Sequence, residues 1–405
     1  MIHPALTLQW ILWLWSGTAR GVQTGLRWAV QDAIYGLTGC GTGAFGFREY
    51  VCDEHGAELV PNSCGRRDCP RCIGARSWRW CEFVELRLLN CRHFHVVFTL
   101  SGRLHPYWRY NRTAMANLLF DSASGALKEL LADPKYMGGI PAMLGVLHTH
   151  GSALSLHPHV HLLVSLFGLS PKGELVSARW PETLLPYRVL RRAFQRAFLH
   201  GLKQLMDHPG FYLPKGTTAP QLRGLIDQLF AESTGKWNVM IFRRSDPKPV
   251  VRYLSRTVYG GSIRNDRIVL VTPEWVTFLS QDWHEREEGS DEAPRWTQRR
   301  LHLNDFVARW SEHIVERGMK TVRYWGLLAP GAKASLDAAR LALLQRATPE
   351  ERETAPDEPE LVVRCRKCAA VMTVTELPAR PVELSPAAQA MLRARAPPPS
   401  RSVAA

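Results

Sequence analysis

The stretch Leu156-His157-Pro158-His159-Val160-His161-Leu162-Leu163-Val164 carries both the fold and the chemistry of this chain. Apart from its histidines it is apolar and rich in strand-forming residues. Strand alternation puts His159 and His161 on one face and turns Val160 to the other, into a core. Two surface histidines that alternate by chance are the ordinary explanation of a His-x-His pair. In a strand this apolar, however, the imidazoles are buried and need partners, and a shared metal ion supplies them. Upstream, Leu147-His148-Thr149-His150 ends a neighbouring strand. Across a hairpin His148 is the favoured third ligand, with His150 sharing its parity. An all-histidine shell suits zinc; completed by phosphate oxygens and water it holds Mg²⁺ or Mn²⁺.

The segments around this strand define a sheet domain. His93 to Leu100 (HFHVVFTL) reads as a strand buried on both sides, 107–132 as helix, 142–150 and 158–167 as strands, and 188–206 and 219–231 as helices. A strand follows at 237–242. Pro247 and Pro249 then open a short helix to about Thr257, where proline suits a first turn, and 263–271 reads as a last strand or hairpin. Strands flanked by helices imply an α+β sandwich. Beyond Thr272 the pattern turns helical, with amphipathic candidates at 303–317 and 333–346. The expected divisions are a helical, Trp-rich segment (1–38), a metal module (39–91), the sheet domain (92–272), a helical region (273–346) and a Glu-, Pro- and Ala-rich tail (347–405) whose end is disordered.

Composition limits the partners. The chain has 405 residues, 45% of them hydrophobic and 22% charged, which excludes wholesale disorder. Lys plus Arg number 51 against 37 Asp plus Glu, a net charge of +14, which favours a polyanion such as nucleic acid. No apolar run approaches the ~20 residues of a membrane span. Seven of the nine cysteines fall between Cys40 and Cys91. A disulfide scaffold would be short and secreted, so the clustering reads as metal binding in a reducing cytoplasm.

Within the module, Cys52-x2-His55 and Cys69-x2-Cys72 are two knuckles separated by residues 56–68. Two residues three apart on a tight turn aim both ligand atoms at one point, and thiolate plus imidazole match Zn²⁺. Cys52, His55, Cys69 and Cys72 are therefore the expected four. Cys40, Cys64 and Asp68 are surplus ligands that leave a second zinc or a different four open. Cys81 and Cys91 read as core thiols. Cys365-x2-Cys368 is half of a further site, able to complete its shell from another segment or a second chain.

Downstream of the sheet lies Val250-Val251-Arg252-Tyr253-Leu254-Ser255-Arg256-Thr257-Val258-Tyr259. Tyrosines on helices are usually packing residues. Facing a histidine-bound metal, a phenol becomes a nucleophile for a phosphodiester and forms a covalent phosphotyrosine. Arg243, Arg244, Lys248, Arg252, Arg256, Arg264 and Arg267, with Trp237 as a stacking surface, outline a basic groove for single-stranded DNA.

These motifs, in this order, resemble HUH-superfamily rolling-circle transposases of the insertion-sequence 91 type. The resemblance spans roughly 36 to 346 and rests on Asn62 to Cys72 (NSCGRRDCPRC), His93 to Leu100, Leu147 to Gly151, His157 to Val164, Tyr253 to Tyr259, Ser262 to Ile268 and Phe306 to Leu327. It implies a ferredoxin-like nuclease core behind a zinc-binding DNA module, with His159 and His161 as the metal pair. Tyr253 would be the nucleophile, leaving a 5′-phosphotyrosine and a free 3′-hydroxyl on single-stranded element ends near the nucleoid. His55 stands where such proteins have cysteine and Asp68 where they have histidine. Two-tyrosine members carry a second tyrosine four residues after the first, which here is Thr257. Tyr259 lies about 240° further round the helix, so the reading is a one-tyrosine enzyme. A replication initiator or relaxase, and an inactive DNA-binding derivative of a transposase, are the alternatives.

Overall fold

The computed structural model describes residues 6–18, 25–232, 237–282, 295–346, 365, 367–368 and 370–377. The chain opens with α1 (Leu8–Ser16), α2 (Trp28–Thr38), the hairpin β1 (Phe47–Cys52) and β2 (Gly56–Pro61), and α3 (Ile73–Glu85). There follow β3 (His93–Thr99), α4 (His105–Tyr110), α5 (Arg112–Ala132), β4 (Ile140–His150), β5 (Leu156–Leu169), β6 (Leu175–Ser177), α6 (Tyr187–Met206) and α7 (Ala219–Ala231). Next come β7 (Asn238–Arg244), α8 (Lys248–Gly260), β8 (Ile268–Val271), β9 (Trp275–Asp282), β10 (Arg295–His302) and α9 (Leu303–Glu312). The described chain ends with β11 (Val322–Gly326), α10 (Lys333–Arg346) and β12 (Thr373–Leu377). The end of the tail, expected to be disordered, lies outside the described residues.

The fold is α+β, as expected, built on an antiparallel sheet ordered β11-β4-β5-β3-β7 with β6 paired to the end of β5. Alternation explains its two coats. Phe94, Val96 and Phe98 of β3, Met143 and Leu147 of β4, and Val160, Leu162 and Val164 of β5 point to one face, where α5, α6 and α7 cover them. Helix α5 presents Met115, Leu119, Phe120, Ala123 and Leu127, and α6 presents Leu190, Phe194, Phe198 and Leu202, the three- and four-residue spacing of a single apolar stripe. Thr218 and Gln221 cap the start of α7 reciprocally. The opposite face carries Leu144, Val146 and Leu163, covered by Val250, Val251, Leu254 and Val258 of α8.

A second core corrects the expected divisions. Ile11, Leu12 and Trp15 of α1 and Val30, Ile34 and Leu37 of α2 pack against Val276 and Phe278 of β9 and Phe306, Val307 and Trp310 of α9. The Trp15 indole donates to Asn304 Oδ1 at 3.0 Å, and Arg27 ion-pairs with Glu316. The first and fourth expected units therefore share one interior. The stretch beyond Thr272 is also not helical throughout. Helices α9 and α10 form where expected, but Val276, Phe278 and Ser280 alternate inward along β9, which pairs with β8 and β10 in a sheet of its own. Strand β11 joins the central sheet as the outer neighbour of β4. A third small sheet, β12-β1-β2, joins the metal module to residues 373–377.

Strand β11 can lie flat on β4 only because position 145 lacks a side chain. A Cβ on Gly145 would meet Trp325 Cζ3 at 2.5 Å and Cη2 at 2.8 Å, with Phe120 at 3.3 Å. Gly145→Val should destabilise the protein by about 1–3 kcal/mol through overpacking. Urea unfolding checks this, and adding Trp325→Leu should recover part of the loss.

Candidate metal centre and tyrosine site

His148 lies directly opposite His159 in the β4–β5 register, and Val146 opposite His161. The three imidazoles thus leave the sheet on the α8 face, the face free of the long helices. Ring centroids are 5.2 Å apart for His148 and His159, 4.1 Å for His148 and His161, and 4.8 Å for His159 and His161. One nitrogen from each lies within 4.8 Å of the others, in a buried setting. The bulge between His148 and His150 takes His150 away from this point, toward His313, with ring centroids 5.4 Å apart.

Hydrogen bonds orient two of the rings. His159 Nδ1 donates to the carbonyl of His157 at 2.6 Å, so its Nε2 lone pair faces the cluster. His161 Nδ1 is 2.7 Å from Nε2 of His95, which stacks on it from β3. With His161 donating, its Nε2 carries the lone pair; that atom and Nε2 of His148 are buried with no protein partner. Orphaned lone pairs converging on one point are what a cation site requires. The sequence reading missed His95, although its signal was present: in His93-x-His95 the second histidine shares the face of His161 on the adjacent strand.

Burial keeps these imidazoles neutral. Desolvation drives His148 and His161 well below the usual histidine range, with neighbouring rings adding to the effect, and lowers His159 to about 3. Away from the cluster, burial lowers His93 and His313 to about 4.

Tyr253 projects from α8 over this cluster. Its ring centroid is 6.0 Å from that of His148 and 5.9 Å from that of His161. The ring is half exposed, and desolvation raises its phenol above the ordinary value. Tyr259 faces the other way, edge-on to Trp80 at 6.4 Å. Helix α8 is itself clamped from outside. Ser77 and Ser255 hydroxyls lie 2.6 Å apart between α3 and α8. At the end of α8, Gly261 adopts φ +68° where a Cβ would come 2.9 Å from the carbonyl oxygen of Asp68.

The loop that makes this clamp is held by cysteines, but not in the expected grouping. Cys40, Cys64, Cys69 and Cys72 converge, with Cys72 Sγ 3.6 Å from both Cys40 and Cys64. The neighbouring thiols of Cys40, Cys64 and Cys69 hold the Cys72 thiol toward its thiolate form. Cys52 and His55 lie elsewhere, with Cys365 and Cys368, because the β1–β2 hairpin carries their turn away from the loop. The expected set of Cys52, His55, Cys69 and Cys72 is therefore split. Asp68 points away from the thiols toward Arg66 and Arg67, 3.7 Å from each. Arg67 is half-buried, donates to Thr321 Oγ1 at 2.7 Å, and its positive charge adds a little to the lowering of His148 that burial causes.

The basic groove is also smaller than expected. Trp237 is 3% exposed and packs between Phe194 and Phe198, so it offers no stacking face. Arg267 is held by the carbonyls of Leu279 and Ser152. Arg243 pairs with Glu182, Arg264 with Asp266, and Arg244 lies over the Phe242 ring. Lys248, Arg252 and Arg256 are exposed on α8, with Glu85 3.6 Å from Arg252. Arg252, Arg256 and Arg264 line a cleft of about 630 Å³ between α3 and α8, with Trp78 as its aromatic wall.

Two outcomes follow from this geometry. Unfolded histidines take up protons below pH ~6.5, whereas His93 and His313 accept them only near pH 4. Stability should therefore be full above about pH 6.5 and fall as the pH drops toward 4, which urea midpoints across that range measure. Cys69→Ser should release one zinc and free α8 from its clamp while the central sheet persists. Zinc content, far-UV circular dichroism and the rate of tryptic cleavage after Arg252 and Arg256 test this together.

Among the described residues no helix is long and apolar enough to cross a membrane. Residues 142–335 match the family model described as "Putative transposase", and residues 16–100 match "Transposase zinc-binding domain". The chain is 30% identical over 345 residues to "Putative transposase y4qJ" of Sinorhizobium fredii, covering 84% of each chain. It is 29% identical over 314 residues to "Transposase for insertion sequence element IS801" of Pseudomonas savastanoi pv. phaseolicola, covering 75% of this chain and 72% of the relative. No solved structure matches it. An α+β sheet carrying a buried histidine cluster, a zinc-binding domain wired to it and these relatives agree: the chain belongs to the insertion-sequence 91 family of transposases.

Proposed function

We propose that this transposase nicks and transfers single-stranded DNA through attack by Tyr253. The observation that carries the reading is the phenol ring over two of three converging, neutral imidazoles, at 6.0 and 5.9 Å. His148, His159 and His161 would hold a divalent cation, Mg²⁺ or Mn²⁺, which when bound polarises a non-bridging oxygen of the scissile phosphate. The orphaned Nε2 atoms fit such an ion, and the all-imidazole donor set favours Mn²⁺, since Mg²⁺ prefers oxygen ligands.

The remaining steps belong to side chains of this chain. The phenol oxygen of Tyr253 forms a bond to phosphorus as the bond from phosphorus to the 3′ oxygen breaks. The phenol proton balances the 3′-alkoxide, giving a 5′-phosphotyrosine and a free 3′-hydroxyl. A 3′-hydroxyl attacking the phosphotyrosine reverses the bond changes and joins strands. Nε2 of His95 lies 2.7 Å from Nδ1 of His161, and with His161 as the donor this contact leaves Nε2 of His161 for the cation. Arg252 and Arg256 line the cleft between α3 and α8 and would hold phosphates of the bound strand, with Trp78 stacking a base.

One experiment tests the reading. Single-stranded oligonucleotides of candidate element ends are incubated with the full chain and Mn²⁺ or Mg²⁺, and adducts are trimmed and mapped by mass spectrometry. The nucleotide is expected on Tyr253, with Mn²⁺ effective at lower concentration. Tyr253→Phe should lose the adduct while keeping fold and DNA binding, and Tyr259→Phe should keep it. An adduct on Tyr259 or Thr257, or one surviving in Tyr253→Phe, would overturn the single-tyrosine mechanism.

A further inference from the structure

The chain holds a second cysteine-containing cluster, only half of which falls within the matched zinc-binding domain, residues 16–100. Cys52 and His55 come from the turn between β1 and β2; Cys365 and Cys368 come from the segment before β12. The four ligand atoms lie within 4.8 Å of one another. Cys52 Sγ is 3.6 Å from Cys368 Sγ and 3.7 Å from His55 Nδ1, and Cys365 Sγ is 3.8 Å from the same nitrogen. A sulfur pair in a disulfide would be about 2.05 Å apart. By contrast, a tetrahedral zinc with arms of roughly 2.0–2.3 Å has ligand-to-ligand edges of about 3.5–3.8 Å. The measured separations are those edges.

The surrounding sheet points the same way. β12 pairs with β1 from Val51↔Thr373 to Phe47↔Leu377, and β1 pairs with β2 from Cys52↔Gly56 to Phe47↔Pro61. Positions 56–60 of β2 are all exposed, and Cys52 is the one buried residue of β1. Small sheets without an apolar face are marginal in water, and metal ligation is a standard substitute for a core.

We propose that Cys52, His55, Cys365 and Cys368 form a second, closed structural zinc site, distinct from the Cys40 cluster, that fastens residues 365–377 to the N-terminal module within one chain. Three thiolates and one imidazole complete a tetrahedron and leave no open position, so the site stabilises and does not catalyse. It also gives a reason for His55: an imidazole serves as the fourth ligand where a thiolate would add a further negative charge.

The full-length protein tests this by cobalt substitution, whose thiolate-to-metal absorption ignores ions held by histidine alone, together with native mass spectrometry. The wild type should bind two thiolate-held ions per monomer. Cys365→Ser combined with Cys368→Ser should lose one and keep the other, with faster tryptic cleavage after Lys367. Cys365→His should keep two ions but with weaker thiolate absorption, which separates loss of a ligand from failure to fold. The proposal is overturned by unchanged metal content in the double variant, by an unchanged spectrum in Cys365→His, or by an ion found only in a dimer.

Discussion

The arrangement of the site depends on the pairing of β4 with β5. His148 meets His159 directly across the hairpin, and each imidazole has an apolar neighbour on the reverse face: Leu147 beside His148, and Val160 and Leu162 beside His159 and His161. A slip of one residue would send imidazoles into the interior lined by Phe94, Phe98 and Phe120 and expose leucines to α8. The apolar residues that seal the helical face therefore aim the histidines as well. Core packing and ligand geometry are one requirement, met by a single alternating pattern.

The zinc-binding module extends that requirement to the tyrosine. Cys40, Cys64, Cys69 and Cys72 draw their loop together, the loop leads into α3, and α3 lies along α8 through the Ser77–Ser255 contact. The backbone of Asp68 closes on Gly261 at the other end of the same helix. Tyr253 stands between these two fixings. A module that reads as a DNA-binding appendage is thus also part of the frame that holds Tyr253 over the cluster, and Arg67 carries its charge toward His148.

Much of this was legible in the residues. Period-two apolar runs marked β3, β4 and β5, proline marked the start of α8, and His-x-His on an apolar strand marked the cluster. What stayed hidden is long-range. Knuckle spacing says that Cys52 and His55 share a turn, but not that their partners lie some 310 residues on, since chelating turns look alike whichever pair they meet. Trp237 reads equally well as a stacking surface or as core, and Phe194 and Phe198, far away in sequence, decide it. The strands after Thr272 were missed because the alternation of Val276, Phe278 and Ser280 is short and set among polar residues.

The shared interior of α1, α2, β9 and α9 governs the order of events during synthesis. Ile11, Leu12 and Trp15 of α1 and the apolar stripe of α2 are made early, yet their partners Phe278, Phe306 and Trp310 follow only after more than two hundred further residues. Until then the growing chain carries an uncovered apolar surface, the kind that recruits chaperones or aggregates. A chain that stopped before Trp310 would leave this interior half built, with the apolar faces of α1 and α2 lacking their partners.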